Sequence, residues 1–297
     1  MATSEVVGSV AELWRFPVKS MRGERLEQAE LTWQGFVGDR AYGLIDLKTG
    51  KVVSAKSVTL FPNMLGCQAA FVEAPQAGRA LPPVRITLPD GTTVTNDSND
   101  VDRVLSAHFR REVTLAGAAP ADYTIDQYHP DAENLDPAGH RDMFVEQKLG
   151  SAFFDEAGAA SPVPVGSFFD LFPVSVLSLS ALKQLSALQP QSRFEPRRFR
   201  MNLIVDTTQA GFVENDWVGH VLKIGDAARI RVATPDTRCV MTTLAQGDLP
   251  KDTDVLRALT RYNRLQISEE GLFPCMGVYG IVEAPGMLKV NDRLMVA

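Results

Sequence analysis

The stretch HVLKIGDAARIRVATPDTRCVMTT, residues 220–243, decides how the fold is read. Its first part, residues 220–232, sets two apolar runs around a Gly-Asp pair, the pattern of strand, tight turn and strand. A second segment, GMLKVNDRLMVA at 286–297, repeats that layout around Asn-Asp. Paired hairpins of this kind suit a small closed barrel, because closure removes exposed sheet edges. The continuation, TPDTRCVMTT at 234–243, puts Cys239 just after a predicted strand, beside Arg238 and between threonines. A guanidinium next to a thiol stabilises the thiolate, the form that acts as a soft metal ligand or nucleophile.

Working outward, residues 6–14 and 41–45 are short runs of Val, Leu, Tyr and Ile closed by Gly, Pro or Asp, which reads as an opening β-meander. Residues 85–95, RITLPDGTTVT, predict a hairpin turning at Pro-Asp-Gly. Helical spacing is found at 100–109, at 180–188 with a serine cap after a buried strand at 174–179, and at 252–262. Residues 116–166 turn to Ala, Gly, Pro and Asp without a period, which reads as a linker and a long loop that either lies over a functional cleft or is partly mobile. The expected class is mainly β with a few helices (α+β): a β-barrel-like domain at 1–116, a linker at 117–165 and a second β-barrel domain at 166–297.

A length of 297 residues exceeds the span of one core and supports two domains. A composition 45% hydrophobic and 22% charged excludes disordered and fibrous classes. The net charge of −6, with no block of Lys or Arg, argues against a nucleic-acid partner. No window approaches the roughly 20 apolar residues of a membrane span, and the start MATSEVVGSV lacks a secretion-signal layout. A cytoplasmic protein is expected. Cys67, Cys239 and Cys275 are too few and scattered for a disulfide framework. With no CxxC and no clustered Cys or His, any metal is expected to arrive largely pre-assembled.

Cationic and hydroxyl groups gather at strand ends: Lys19 and Ser20 in RFPVKS, Asp39 and Arg40 in VGDR, and Arg197, Arg198 and Arg200 in EPRRFRMN. A phosphorylated, anionic ligand would explain that convergence. Arg197 and Arg198 read instead as a solvated basic face, and Cys67 and Cys275, in apolar surroundings, as inert.

RFPVKS, VGDR, DLFPVSVLSLSAL, FRMN and TRCVMTT, in this order, resemble the MOSC superfamily, and within it the branch of the mitochondrial amidoxime-reducing component and its bacterial YcbX-like relatives. The resemblance runs over nearly the whole chain and implies an N-terminal β-barrel domain followed by a MOSC domain. It implies a molybdenum cofactor, Mo-molybdopterin, with the metal held by Cys239, which would also be the catalytic residue. It further implies that Lys19, Ser20, Arg40, Arg200, Asn202 and Arg238 hold the phosphate and pterin edges, with Asp170, Ser178 and Tyr279 as further pocket residues. The implied activity is reduction of N-hydroxylated or N-oxide small molecules. Three departures stand out: Lys56 in SAKS where relatives commonly have Arg, LAQGDLPKD after the cysteine, and no ferredoxin-type domain before the chain stops at Ala297. Electrons are then expected from a separate protein of the ferredoxin, flavodoxin or cytochrome b5 type.

Two other readings of Cys239 stay open at this point. One is a carrier of the cofactor or of sulfur without turnover of its own. The other is a metal-free cysteine hydrolase, which needs a base near the thiolate; His108, His129, His140 and His220 form no recognisable Cys-His signature, and two of them fall in the linker.

Overall fold

The computed structural model describes residues 5–267 and 269–297. Seven strands close into a ring: Val174–Ser178, Leu203–Thr207, Glu5–Arg15, Arg293–Val296, Val221–Ile224, Ala228–Thr237 and Gly271–Ala284, the last pairing back onto the first. Neighbours in the ring run antiparallel except Val174–Ser178 and Leu203–Thr207, which are parallel. A parallel pair needs a crossover, and the helices Leu179–Leu188 and Pro196–Phe199 supply it. Alternation along the strands decides which side chains enter the barrel. Leu222, Ile224, Ala228, Ile230 and Val232 point into a core shared with Val10, Leu13, Val205, Val278 and Leu294. Arg231, between Ile230 and Val232, stays exposed.

The first strand therefore belongs to the barrel of the second half. Of the other N-terminal strands, Glu24–Leu26 pairs with the end of the first strand, while Gly43–Asp46 with Val113–Ala116, and Gln68–Phe71, Val84–Thr87 and Thr93–Thr95, form small sheets. The helix Val101–Phe109 packs Leu105 and Phe109 against them, in a core with Leu44, Phe61, Met64 and Ile86. The two halves are stitched a second time where Gln28–Thr32 pairs with Gly286–Lys289.

Two expected elements differ. Gly286–Lys289 and Arg293–Val296 are not partners in a hairpin: the first joins Gln28–Thr32 and the second joins the barrel between Glu5–Arg15 and Val221–Ile224. Asn291 adopts φ +73° at the bend, and its N–H donates to the Val10 carbonyl, so the turn is spent on a third strand. The stretch read as a linker carries an antiparallel ribbon, Thr124–His129 with Met143–Lys148, followed by the short helix Ser151–Glu156. Tyr123, Ile125, Leu149, Ala152 and Phe168 give it a small core of its own.

No helix among the described residues is long and apolar enough to cross a membrane.

Candidate functional site

A cavity of about 950 Å³ lies where the Phe16–Ser20 loop, the Ser54–Ser57 turn, the ribbon and the open end of the barrel meet. Lys19, Ser20, Arg40, Asp170, Arg200, Asn202, Arg238, Cys239 and Tyr279 all line it. Ser178 does not, and that expectation is corrected. Its hydroxyl caps the helix Leu179–Leu188 by accepting from Ala181 N at 3.0 Å and donates to buried Glu214 at 2.5 Å, so it serves the barrel wall. The serine cap is thus Ser178 and not Ser180.

Cys239 opens the 3-10 turn Val240–Thr243 directly after the strand Ala228–Thr237 and is half-buried. Cys67 and Cys275 are buried in apolar surroundings that push both thiols up to about 12. Lys56 and Arg238 lie within electrostatic reach of the Cys239 sulfur. Arg238 donates to Asp236 Oδ2 at 2.5 Å and to the Phe199 carbonyl at 2.7 Å, while its Nε is buried without a hydrogen-bond partner.

Asp39 organises one wall. Its carboxylate receives Phe16 N at 2.6 Å, Arg40 Nη1 at 2.6 Å and Asn202 Nδ2 at 2.8 Å. Arg40 and Arg200 then sandwich the Phe16 ring, at 4.3 and 4.4 Å from its centroid. The Asn202 amide also donates to Trp14 O and accepts from Ser175 N and Oγ, which uses both donors and both lone pairs. Asn202 is brought to the cavity, yet its polar atoms are committed to holding the wall. Ser20 Oγ likewise accepts from Ala55 N at 3.0 Å and fixes the turn that carries Lys56.

Three of these residues are also among the non-glycine positions with positive φ, a set that includes Asn63, Arg110 and Asn291 away from the cavity. Ser20, Arg40 and Arg200 adopt φ of +63°, +49° and +56°. A residue with a Cβ pays sterically in that region, and such strain concentrates where a site over-determines the chain. Arg200 ends the short helix Pro196–Phe199 in that conformation, which swings its side chain back to the Met21 carbonyl.

Two carboxylates, Asp170 half-buried and Asp236 buried, face the deep part of the cavity. Asp170 bridges the ammonium groups of Lys19 and Lys56, the latter at 2.9 Å. Burial would raise its pKa, but the two lysines hold it well below the usual carboxylate range. Burial lowers Lys19 to about 8; it works against Lys56 as well, where Asp170 and the Cys239 sulfur outweigh it and raise the pKa. Asp236 is pushed up to about 6 by burial, against the pull of Arg238, with the Tyr279 hydroxyl beside it. Sequence reading passed over Asp236, although it stands three residues before Cys239 in the motif itself.

Other readings change. Arg198 is no solvated residue: its guanidinium is buried and donates to the carbonyls of Arg193, Thr242, Leu244 and Pro250, pinning the loop after Cys239. Arg197 does sit at the surface, paired with Glu195 and Asp248. Histidines do cluster: His129, Asp136 and His140 converge on the cavity wall, from the stretch read as a linker.

Five cationic groups, Lys19, Arg40, Lys56, Arg200 and Arg238, thus share with a half-buried thiol the lining of a space large enough for a cofactor-sized ligand. The five cations outnumber the three carboxylates paired with them, Asp39, Asp170 and Asp236, and this excess and the unpartnered Arg238 Nε fit a polyanion, while the thiol fits a soft metal. This is a two-module β protein with a cleft at the mouth of its barrel whose deep end gathers cations. Residues 7–116 match the MOSC N-terminal beta barrel domain and residues 165–295 the MOSC domain. The chain belongs to the MOSC superfamily.

Mitochondrial amidoxime-reducing component 1 from Homo sapiens is 25% identical over 312 residues, covering 96% of this chain and 82% of that protein. Mitochondrial amidoxime reducing component 2 from Bos taurus is 26% identical over 295 residues, with the same coverage. Among solved structures, the YUAD protein from Bacillus subtilis aligns over 99% of this chain and 98% of its own at 10% identity and a TM-score of 0.46.

Proposed function

We propose that this chain is a molybdenum-cofactor-dependent reductase of small N-hydroxylated or N-oxide compounds, supplied with electrons by a separate protein in the cytoplasm. The observation that carries the reading is the position of Cys239: a half-buried thiol on the wall of the cavity, with Lys56 and Arg238 within electrostatic reach and Lys19, Arg40 and Arg200 in the same lining. The similarity to amidoxime-reducing components over 96% of the chain supports the reaction class.

In this reading Cys239 is the protein ligand of the metal. Lys19, Lys56, Arg40, Arg200 and Arg238 face the anionic parts of the cofactor, and Ser20, Asp170, Asn202 and Tyr279 hold those cations and the walls in place. When bound, the cofactor supplies the two-electron exchange. The chain supplies orientation and protons. Removing oxygen from an N–O bond as water takes two electrons and two protons. Asp236, with its carboxyl near 6, and Lys19 Nζ, near 8, are buried groups able to hold a proton at working pH. A cavity of about 950 Å³ leaves room for a substrate beside the cofactor, which favours an enzyme over a carrier.

Metal and pterin analysis of protein from cells with intact cofactor synthesis should find about one molybdenum per chain. Cys239→Ala should abolish reduction of an amidoxime with an artificial electron donor. Full activity in that variant, or protein free of molybdenum that still turns over, would defeat the assignment.

A further inference from the structure

We propose that His129, Asp136 and His140 form a second metal site, separate from Cys239, for a divalent transition ion of the zinc class. The three residues come from one connection: His129 ends the strand Thr124–His129, and Asp136 and His140 lie in the loop that leads to Met143–Lys148. Thirteen residues without regular structure is long for a two-stranded ribbon, and such loops need something to order them. One ligating atom from each of the three lies within 4.8 Å of the others.

His129 Nδ1 is 3.4 Å from Asp136 Oδ2, and His140 Nδ1 is 2.5 Å from the same oxygen. With metal–nitrogen bonds of roughly 2.0–2.1 Å, tetrahedral ligands stand about 3.3 Å apart. The His129–Asp136 pair already has that spacing, and the His140 pair needs to open by less than about 1 Å. In the ion-free arrangement each imidazole puts Nδ1 against one carboxylate oxygen, a place where an N–H proton can be exchanged for a cation.

The surroundings hold the ligands in advance. Asp136 Oδ1 accepts from Ala138 N at 3.1 Å and Oδ2 from His140 N at 3.2 Å, which fixes the carboxylate. Gln127 Nε2 donates to His129 Nε2 at 3.3 Å, which leaves the ring proton on Nδ1 toward Asp136; with an ion on Nδ1 the amide would turn so that its oxygen accepts from Nε2–H, the part an outer partner plays for a ligating histidine. Leu135, buried against the outer face of the barrel, anchors the loop between the ligands. Asn134 and Asp142 adopt φ of +62° and +47°, so the connection is bent where it must bring the three together. His129 and Asp136 side chains are 9% exposed and His140 36%, which gives an ion a path in. Two imidazoles and a carboxylate suit zinc or ferrous iron better than calcium or magnesium. All three residues line the large cavity, so positions not filled by protein face the space assigned to substrate. An ion there would polarise a water or an oxygen-bearing ligand.

The test uses the full-length protein stripped with EDTA and titrated with cobalt(II), then competed with zinc. Uptake of about one cobalt per chain, with a tetrahedral or five-coordinate visible spectrum that zinc abolishes, is expected. Asp136→Asn and His140→Ala should each weaken binding by roughly ten- to a hundred-fold or more, while Cys239→Ala leaves it intact. Zinc should raise the melting temperature of the parent protein and leave that of His140→Ala unchanged; His140 is the most exposed of the three, so its loss spares the fold. No cobalt uptake would overturn the proposal. So would uptake that survives in His140→Ala and disappears in Cys239→Ala, which would assign the ion to the thiol.

Discussion

On the wall built by the Phe16–Ser20 loop and the Ser54–Ser57 turn, the Asp170 carboxylate sits between two ammonium groups that hold it ionised. On the wall built by the barrel strand Ala228–Thr237, Asp236 faces a single guanidinium and is 2% exposed, and burial lifts its pKa to about 6. The same side chain in one cavity is an ionised anchor in the first setting and a proton-holding group in the second. What separates them is contact and exposure: Asp170 pairs directly with both Lys19 and Lys56, whereas Asp236 pairs directly with Arg238 alone, has Asp170 as a like charge, and is almost wholly buried. Environments that push two carboxyl groups apart in this way divide the labour of a site.

Removing one partner of the first group should have the largest effect. Asp170→Asn leaves Lys19 and Lys56 buried beside each other without an anion, a change expected to cost about 3 kcal/mol. The lower end of the range for buried pairs applies because the Asp170 side chain keeps 27% of its exposure. Urea denaturation at neutral pH measures it. Replacing Asp170, Lys19 and Lys56 together by Leu, Met and Met should recover most of the loss, since no charge is then stranded. If the single variant is as stable as the parent, the first wall is not held by charge.

Asp236→Asn should act more through pH. The folded pKa, about 6, stands above the ordinary 3.8, so between those values the folded state binds more protons than the unfolded. Stability therefore falls as pH rises through that window, by up to about 3 kcal/mol, and the cost persists above pH 6. Asn removes this slope. At Asp170 the folded pKa is depressed, and its contribution is present above pH 3.8 and lost as pH falls from there. Stability differences between each variant and the parent, measured from pH 2 to 7.5, should slope in opposite directions, for Asp170 below about pH 4 and for Asp236 between 3.8 and about 6. Parallel slopes would erase the distinction between the walls.

Much of the barrel was legible because alternation is a local signal: Leu222, Ile224, Ile230 and Val232 announce their face within one hairpin. The placement of Cys239 was legible for the same reason, as a thiol at a strand end next to a cation. Ring closure between Val174–Ser178 and Gly271–Ala284 joins segments about a hundred residues apart, and nothing local encodes it. The Gly286–Lys289 strand looked like half of a hairpin because pairing depends on which edge is free, not on the turn alone. The ribbon Thr124–His129 with Met143–Lys148 escaped notice because few of its side chains are buried, so no apolar period is written into TIDQYH or MFVEQK. Ser178 and Arg198 show a further limit of residue type: a hydroxyl or guanidinium suits a ligand and a helix cap or carbonyl cluster equally well. Only the surroundings choose.

The smallest predicted effect concerns the backbone. Arg40 lies in left-handed conformation at φ +49°, whereas Arg238, on the barrel wall, has an ordinary negative φ. Truncating either arginine removes its guanidinium, so the informative quantity is the difference between Gly and Ala at each position. At Arg40, Gly should be more stable than Ala by about 1 kcal/mol, because only Ala carries a Cβ into the disfavoured region. At Arg238 the order should reverse by roughly 0.5–1 kcal/mol, because Gly has more freedom to lose on folding. Paired urea midpoints for the four variants read this directly, with side-chain losses cancelling inside each pair. A reversal of sign between the positions would show that strain is built into the Phe16–Arg40 wall and not into the strand that presents Cys239. Equal signs would mean that the left-handed arginine is held without cost, and that the rigidity of this wall comes from Asp39 and the Phe16 sandwich alone.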